Sequence, residues 1–176
     1  TACGGGGGST PTPTPTPLLS FASNLLSVEV GQSINVSWTS TNATSCTASG
    51  AWSGAKNTID NETITISTPG DNTFTLSCTG KGGSVAKSLT IEGYRLFNGI
   101  AVDGYISSAE VFIDEDDDYT QDGDEEDTTT DNDGKFTDLK YANGSLISLG
   151  GTDLDSQTLL DDLLILQKLT GHTEFK

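Results

Sequence analysis

Basic residues are scarce here: eight Lys and Arg stand against 25 Asp and Glu, for a net charge of −17. A chain this acidic repels nucleic acid and anionic lipid headgroups, and no basic patch with interleaved aromatics offsets that. Nucleic acid is therefore excluded as a partner. Histidine is scarcer still. His172 is the only one, so a Ser-His-Asp triad would have to be built from near the end of the chain, and zinc would lack nitrogen ligands. The glycines at 80, 82 and 83 lack the G-K-[ST] ending and the following helix of a phosphate loop. The longest apolar run, Leu163 to Leu166, falls far short of the roughly 20 residues of a membrane-spanning helix. A glycosidase pair needs two carboxylates with unequal pKa values set by burial, which a solvated or ion-filled loop does not supply. No enzyme is expected.

The acid that dominates the composition is concentrated. Between Asp114 and Asp133, DEDDDYTQDGDEEDTTTDND, 12 of 20 residues are Asp or Glu and none is basic; the rest of the chain carries only −5. Such a run stays solvated or is neutralised by a cation. The spacing favours the cation. Asp114, Asp116, Asp118, Thr120, Asp122 and Glu125 fall at positions 1, 3, 5, 7, 9 and 12 of a calcium loop, with a backbone carbonyl at position 7 and a bidentate carboxylate at position 12. Position 6, normally Gly because the loop turns there with positive φ, is Tyr119. Either the turn differs or the ligand set slides, with Glu126 or Asp124 replacing Glu125. The flanking SSAEVFI and TTTDNDGKF are β-type, so no helix pair brackets the loop. The expected ion is Ca²⁺.

Around the loop the pattern is all-β. Apolar content is 33%, and Gly, Thr and Ser are abundant, which suits short strands and turns. From Leu18 to about Glu92 the apolar positions alternate, as in Ile34, Val36, Trp38 and in Phe74, Leu76, Cys78, with Gly, Pro and Asn turns between. About seven such strands predict a β-sandwich over 18–92. Cys78 shares the parity of Phe74 and Leu76, so its sulfur should face the core. The stretch SWTSTNATSCTASGAWSG…FTLSCTGKGGS resembles the immunoglobulin-like domains repeated in bacterial surface and secreted proteins. That resemblance implies a spacer or binding module and a bond from Cys46 to Cys78 within one sheet, leaving Trp52 on a loop or edge. The bond would indicate an oxidising compartment.

Residues 93–176 form the second predicted sandwich. LFNGIAV, a turn at Asp103-Gly104, and YISSAEVFI read as a hairpin leading into the acidic loop. Turns at Asn132–Gly134 and Asn143-Gly144 follow. GIAVDGYISSAEVFIDED…GDEED…TTTDNDGKF resembles the carboxypeptidase-regulatory-like and collagen-adhesin B-type modules, which implies a calcium ion held by acidic ligands between two strands. Asp131 and Asp133, next to the Asn132–Gly134 turn, would complete the ion's shell or form a second site. The stretch 158–169 reads as helix or strand, the β context favouring strand. Its end at Phe175-Lys176 suggests a natural continuation or a sheet completed by another chain.

Residues 1–17, TACGGGGGSTPTPTPTP, form a flexible glycine hinge followed by a stiff polyproline II spacer. Thr1-Ala2-Cys3 resembles the end of a bacterial lipobox, implying a lipid on Cys3, membrane attachment, and export to the cell envelope, the outer membrane or the cell surface. Three expectations of partners follow: other copies or surface proteins joined through β-edges, the membrane through that lipid, and glycan stacked on Trp52, Tyr94 or Tyr105. Glycan ranks lower because aromatics make up only 7% of the chain and do not cluster in sequence.

Overall fold

The structure, a computed structural model, describes residues 12–101 and 105–160, and the backbone of Leu163–Lys168. The strands begin with β1 (Leu18–Ser23), β2 (Ser27–Glu29), β3 (Ser33–Thr41), β4 (Ser45–Gly50) and β5 (Gly54–Lys56). Next come β6 (Ile59–Thr65), β7 (Gly70–Gly80), the long β8 (Gly83–Ile100), β9 (Ile106–Ser107) and β10 (Glu110–Asp114). The last are β11 (Asp127–Thr129), β12 (Lys135–Tyr141), β13 (Ser145–Leu149), β14 (Thr152–Asp153), β15 (Thr158–Leu159) and β16 (Leu163–Lys168). No helix occurs among the described residues. The fold is an all-β, multi-sheet sandwich, as the period-2 pattern predicts. Cys3, His172 and the segment Phe175-Lys176 lie outside the described residues. The ambiguous stretch is strand at Leu163–Lys168, where it pairs with β13.

Two compact units are formed. The first draws on the chain up to Asn24, on Asn35–Glu62 and on Thr73–Leu89; the second on Leu25–Ile34, Thr63–Asn72 and the chain from Thr90 onward. In the first, β1 runs antiparallel to β3 with Phe21 opposite Trp38, and β4 lies between β5 and β7. Alternation sends Leu19, Phe21, Val36, Trp38, Ala48, Phe74 and Leu76 into the core. Cys46 sits directly opposite Cys78 in the β4–β7 ladder, and the two form a buried disulfide. It lies within one sheet, as the immunoglobulin-like resemblance implies.

Trp52 stands on a loop after β4, one of the two places expected of it, and is buried there, only 7% exposed. It stacks on Phe21 at 5.6 Å and meets Trp38 and Phe74 edge-on, while its Nε1–H donates to the Thr75 carbonyl at 3.1 Å. Lys56 Nζ lies 4.6 Å from the ring centroid. Gly50 makes this possible. At φ 89° it turns the chain so tightly that a side chain there would strike the Thr73 carbonyl. Strand parity says nothing about where a loop side chain points, and burying an indole decides it.

In the second unit β2 runs parallel to β8, whose later residues pair antiparallel with β12. Gly99 of β8 lies under the Phe136 ring, which comes within 2.5 Å of where a Cβ would stand. β10 lies between β11 and β13, and β13 between β10 and β16. Val111, Phe112 and Ile113 are all buried, so β10 is covered on both faces and its sequence does not alternate. Val111 and Ile113 pack with Phe136, Leu139, Tyr141 and Leu146. The hairpin expected from LFNGIAV and YISSAEVFI is not a ladder among the described residues. The Ile106 amide donates to the Ala101 carbonyl at 3.1 Å, but β8 pairs with β12. Turn residues specify a reversal, not the partner strand. Asp103 and Gly104 lie outside the described residues.

Candidate metal centre

Antiparallel pairing of β10 and β11 places Phe112 opposite Asp127, so the acidic run 115–126 is the tip of a hairpin. Because β10 is buried on both faces, its last residue, Asp114, is buried as well, with none of its surface exposed. A carboxylate in that position is costly unless hydrogen-bonded or paired with a cation. The amides of Asp118 and Tyr119 donate to its two oxygens, each at 3.2 Å, and curl the loop back over it. Asp116 accepts from the Asp118 amide at 3.3 Å, and Asp118 accepts from the Thr120 amide at 2.8 Å. The curl brings one carboxylate oxygen from each of Asp114, Asp116 and Asp118 within 4.8 Å of the others. This triad can hold a metal ion.

The turn at position 6 is present despite the missing glycine. Tyr119 adopts φ 65° and Asp117 φ 63°. The Ser145 hydroxyl donates to Asp117 at 3.2 Å, and Gly144 packs so closely on the Asp114 carbonyl that a side chain would lie 2.5 Å from it. The β13 end thus braces the strained segment. Left-handed backbone costs an L-residue roughly 1–2 kcal/mol, and Tyr119 is 48% exposed, so little packing offsets that cost. Tyr119→Gly is expected to stabilise the metal-free protein by about 1 kcal/mol, after the entropic cost of a glycine. A higher denaturant midpoint at unchanged m-value would show it.

Glu125 ties the loop's two ends: its Oε1 accepts from the Glu115 amide at 2.8 Å and its Oε2 from the Asp122 amide at 3.1 Å. It is not in the 4.8 Å triad, nor are Asp122 and Asp124. The Thr120 hydroxyl and amide hold the Asp118 carboxyl below its ordinary pKa. Asp122 is pushed up, first by the charge of Asp118, then by slight desolvation and by Asp116, Asp124 and Asp114. Glu115 is raised by partial burial and then by Glu92, Glu125, Asp124 and Glu126. Glu126 itself reaches Lys140 at 3.4 Å. The loop is thus self-repelling, and positive charge at its centre relieves that repulsion. Asp131 and Asp133 form a separate turn between β11 and β12. There Asp131 accepts from the Asp133 and Lys135 amides, at 2.8 and 2.9 Å, and Asp133 pairs with Lys135 at 3.1 Å.

No protein-family model matches the chain, and no curated protein matches it in sequence. Among solved structures, it is similar to the D312A form of BcpA, the major pilin subunit of Bacillus cereus, at 12% identity and a TM-score of 0.28. The match covers 88% of this chain and 64% of the pilin subunit. A likeness this slight has no bearing on function.

Sequence reasoning missed Ser145, Gly144 and Asp117. They brace the loop through a strand that follows it by about 20 residues, and ligand spacing carries no trace of such contacts. It also overrated the stacking platforms. Trp52 is buried, and Tyr94 is half-buried with Lys140 Nζ 5.5 Å from its ring centroid; Tyr105 is exposed.

Proposed function

We propose that this chain is a calcium-stabilised, lipid-anchored, non-enzymatic protein of the bacterial cell surface. Two β-sandwich domains, 18–92 and 93–176, project from the 1–17 tether to adhere or to assemble. The observation that carries the reading is the triad of Asp114, Asp116 and Asp118 at the tip of a β-hairpin. Its donors are all oxygen, which suits a hard cation. Calcium, which takes six to eight oxygens in flexible geometry, would recruit Asp122 and Glu125 only by drawing the loop in from where they stand outside the triad, an adjustment the tight octahedron of Mg²⁺ tolerates less. The buried disulfide supports an oxidising location, and the lipid rests on the Thr1-Ala2-Cys3 resemblance. Assembly would use strand edges, of which β16 is one: it is the outermost described strand of its sheet.

The test is electron microscopy of the protein at its source cells and of the purified chain, in millimolar calcium and in chelator. Calcium-dependent filaments or a surface layer, lost in Asp116→Ala, are expected. Monomers at every concentration in calcium would refute assembly. A native N-terminal peptide bearing no lipid on Cys3 would refute the anchor.

A further inference from the structure

The Thr-Pro tract does not run free up to β1. Thr12–Thr16 are exposed and carry no regular structure, but Pro17 is buried, and the segment before it lies against two turns at one end of the first unit. Asn42, at φ 59° between β3 and β4, donates its Nδ2–H to the Thr16 carbonyl at 3.2 Å. Gly82, between β7 and β8, meets the tract from the other turn. A Cβ at Gly82 would lie 2.2 Å from the Pro15 oxygen, 2.6 Å from its carbonyl carbon and 2.9 Å from the Thr14 oxygen. All three nearest atoms belong to the tract. Gly82 is not in the left-handed region, so nothing in its own backbone forbids a side chain. The tract does.

We propose that Gly82 and Asn42 form a seat that locks the last two Thr-Pro repeats against the end of the first unit. The tether's free joint then lies upstream of Thr14 instead of at Leu18, and the segment leaves the unit in a fixed direction. The chemistry fits the occupant. A polyproline II segment has no internal hydrogen bonds, and its prolines donate none, so it presents carbonyls. An amide donor and a bare glycine surface are what such a backbone can dock on. Proline-rich chain has little conformational freedom left to lose, so docking costs less entropy than it would for the glycine tract. Four docked residues also shorten the free spacer by about 12 Å, at 3.1 Å per residue.

Amide ¹⁵N relaxation on the full chain tests this, because Thr14 and Thr16 each carry an amide between prolines. Order parameters of about 0.85, like those of the strands, are expected for both. Gly82→Ala should drive both below about 0.6 while the strand amides keep their values. Asn42→Gly, which tolerates the same φ and removes only the donor, should lower Thr16 first; it serves also if the alanine variant does not fold. Values already below about 0.6 in the unaltered protein, or values unmoved by both variants, would overturn the seat.

Discussion

Replacing Cys46 and Cys78 together by alanine is expected to remove roughly 3.7 kcal/mol of stability. That figure follows from the chain entropy of a loop closed across a sequence separation of 32 residues. The pair is buried, with Cys78 fully shielded, so the alanines also leave a cavity where two sulfurs packed. Total stabilities of small domains are only about 5–15 kcal/mol, so the loss is a large share of the whole. Chemical denaturation of the double variant, beside the unaltered protein with and without reductant, measures it. A midpoint change worth less than about 1 kcal/mol would mean that the β4–β7 ladder holds its register without the bond. Reduction under native conditions should be slow, because a reductant must wait for the sandwich to open.

How much of this was legible in the sequence depends on where period 2 applies. Along β3 and β7 the alternation of Val36 with Trp38, and of Phe74 with Leu76 and Cys78, placed the core side chains correctly. In β10 and β13 it could not. Both faces of these strands are covered, so Val111, Phe112 and Ile113 form a continuous apolar run that periodicity cannot orient. Long-range pairing was hidden as well. β8 leaves its hairpin with β7 and takes up β2 in parallel and then β12, choices that depend on non-local packing. At the site, ligand spacing singled out Asp114, Asp116 and Asp118, whose carboxylates the fold brings together, because a loop of this kind is local: each lies two residues from the next. It did not find the Ser145 brace. It also read Tyr119 as a fault in the turn, whereas the loop accepts the strain there, with the Tyr119 amide bonded to Asp114 and Ser145 holding the neighbouring Asp117.

In 10 mM calcium the protein is expected to melt about 3 to 10 °C higher than in chelator. Extracellular oxygen-ligand sites bind calcium with dissociation constants of roughly 10⁻⁴ to 10⁻³ M. At that calcium concentration, binding confined to the folded state adds about 1.4 to 2.7 kcal/mol. Asp114→Asn should abolish the rise, since the asparagine keeps the buried shape and one acceptor but not the carboxylate at the centre of the triad. Diffuse screening and a displaced ligand set lead to different forecasts. If the divalent ion only screened 12 crowded acids, magnesium at equal ionic strength would raise the melting point as much, and Asp114→Asn would lower the effect only slightly. If the hairpin turn of Asp131 and Asp133 supplied essential ligands, Asp131→Asn would abolish the rise as well. The turn's geometry argues against that, because Asp131 already accepts two amides and Asp133 is paired with Lys135. An equal rise with calcium and magnesium would reduce the loop to diffuse negative charge. A rise specific to calcium, lost in Asp114→Asn and kept in Asp131→Asn, would confine the cradle to the tip of the β10–β11 hairpin.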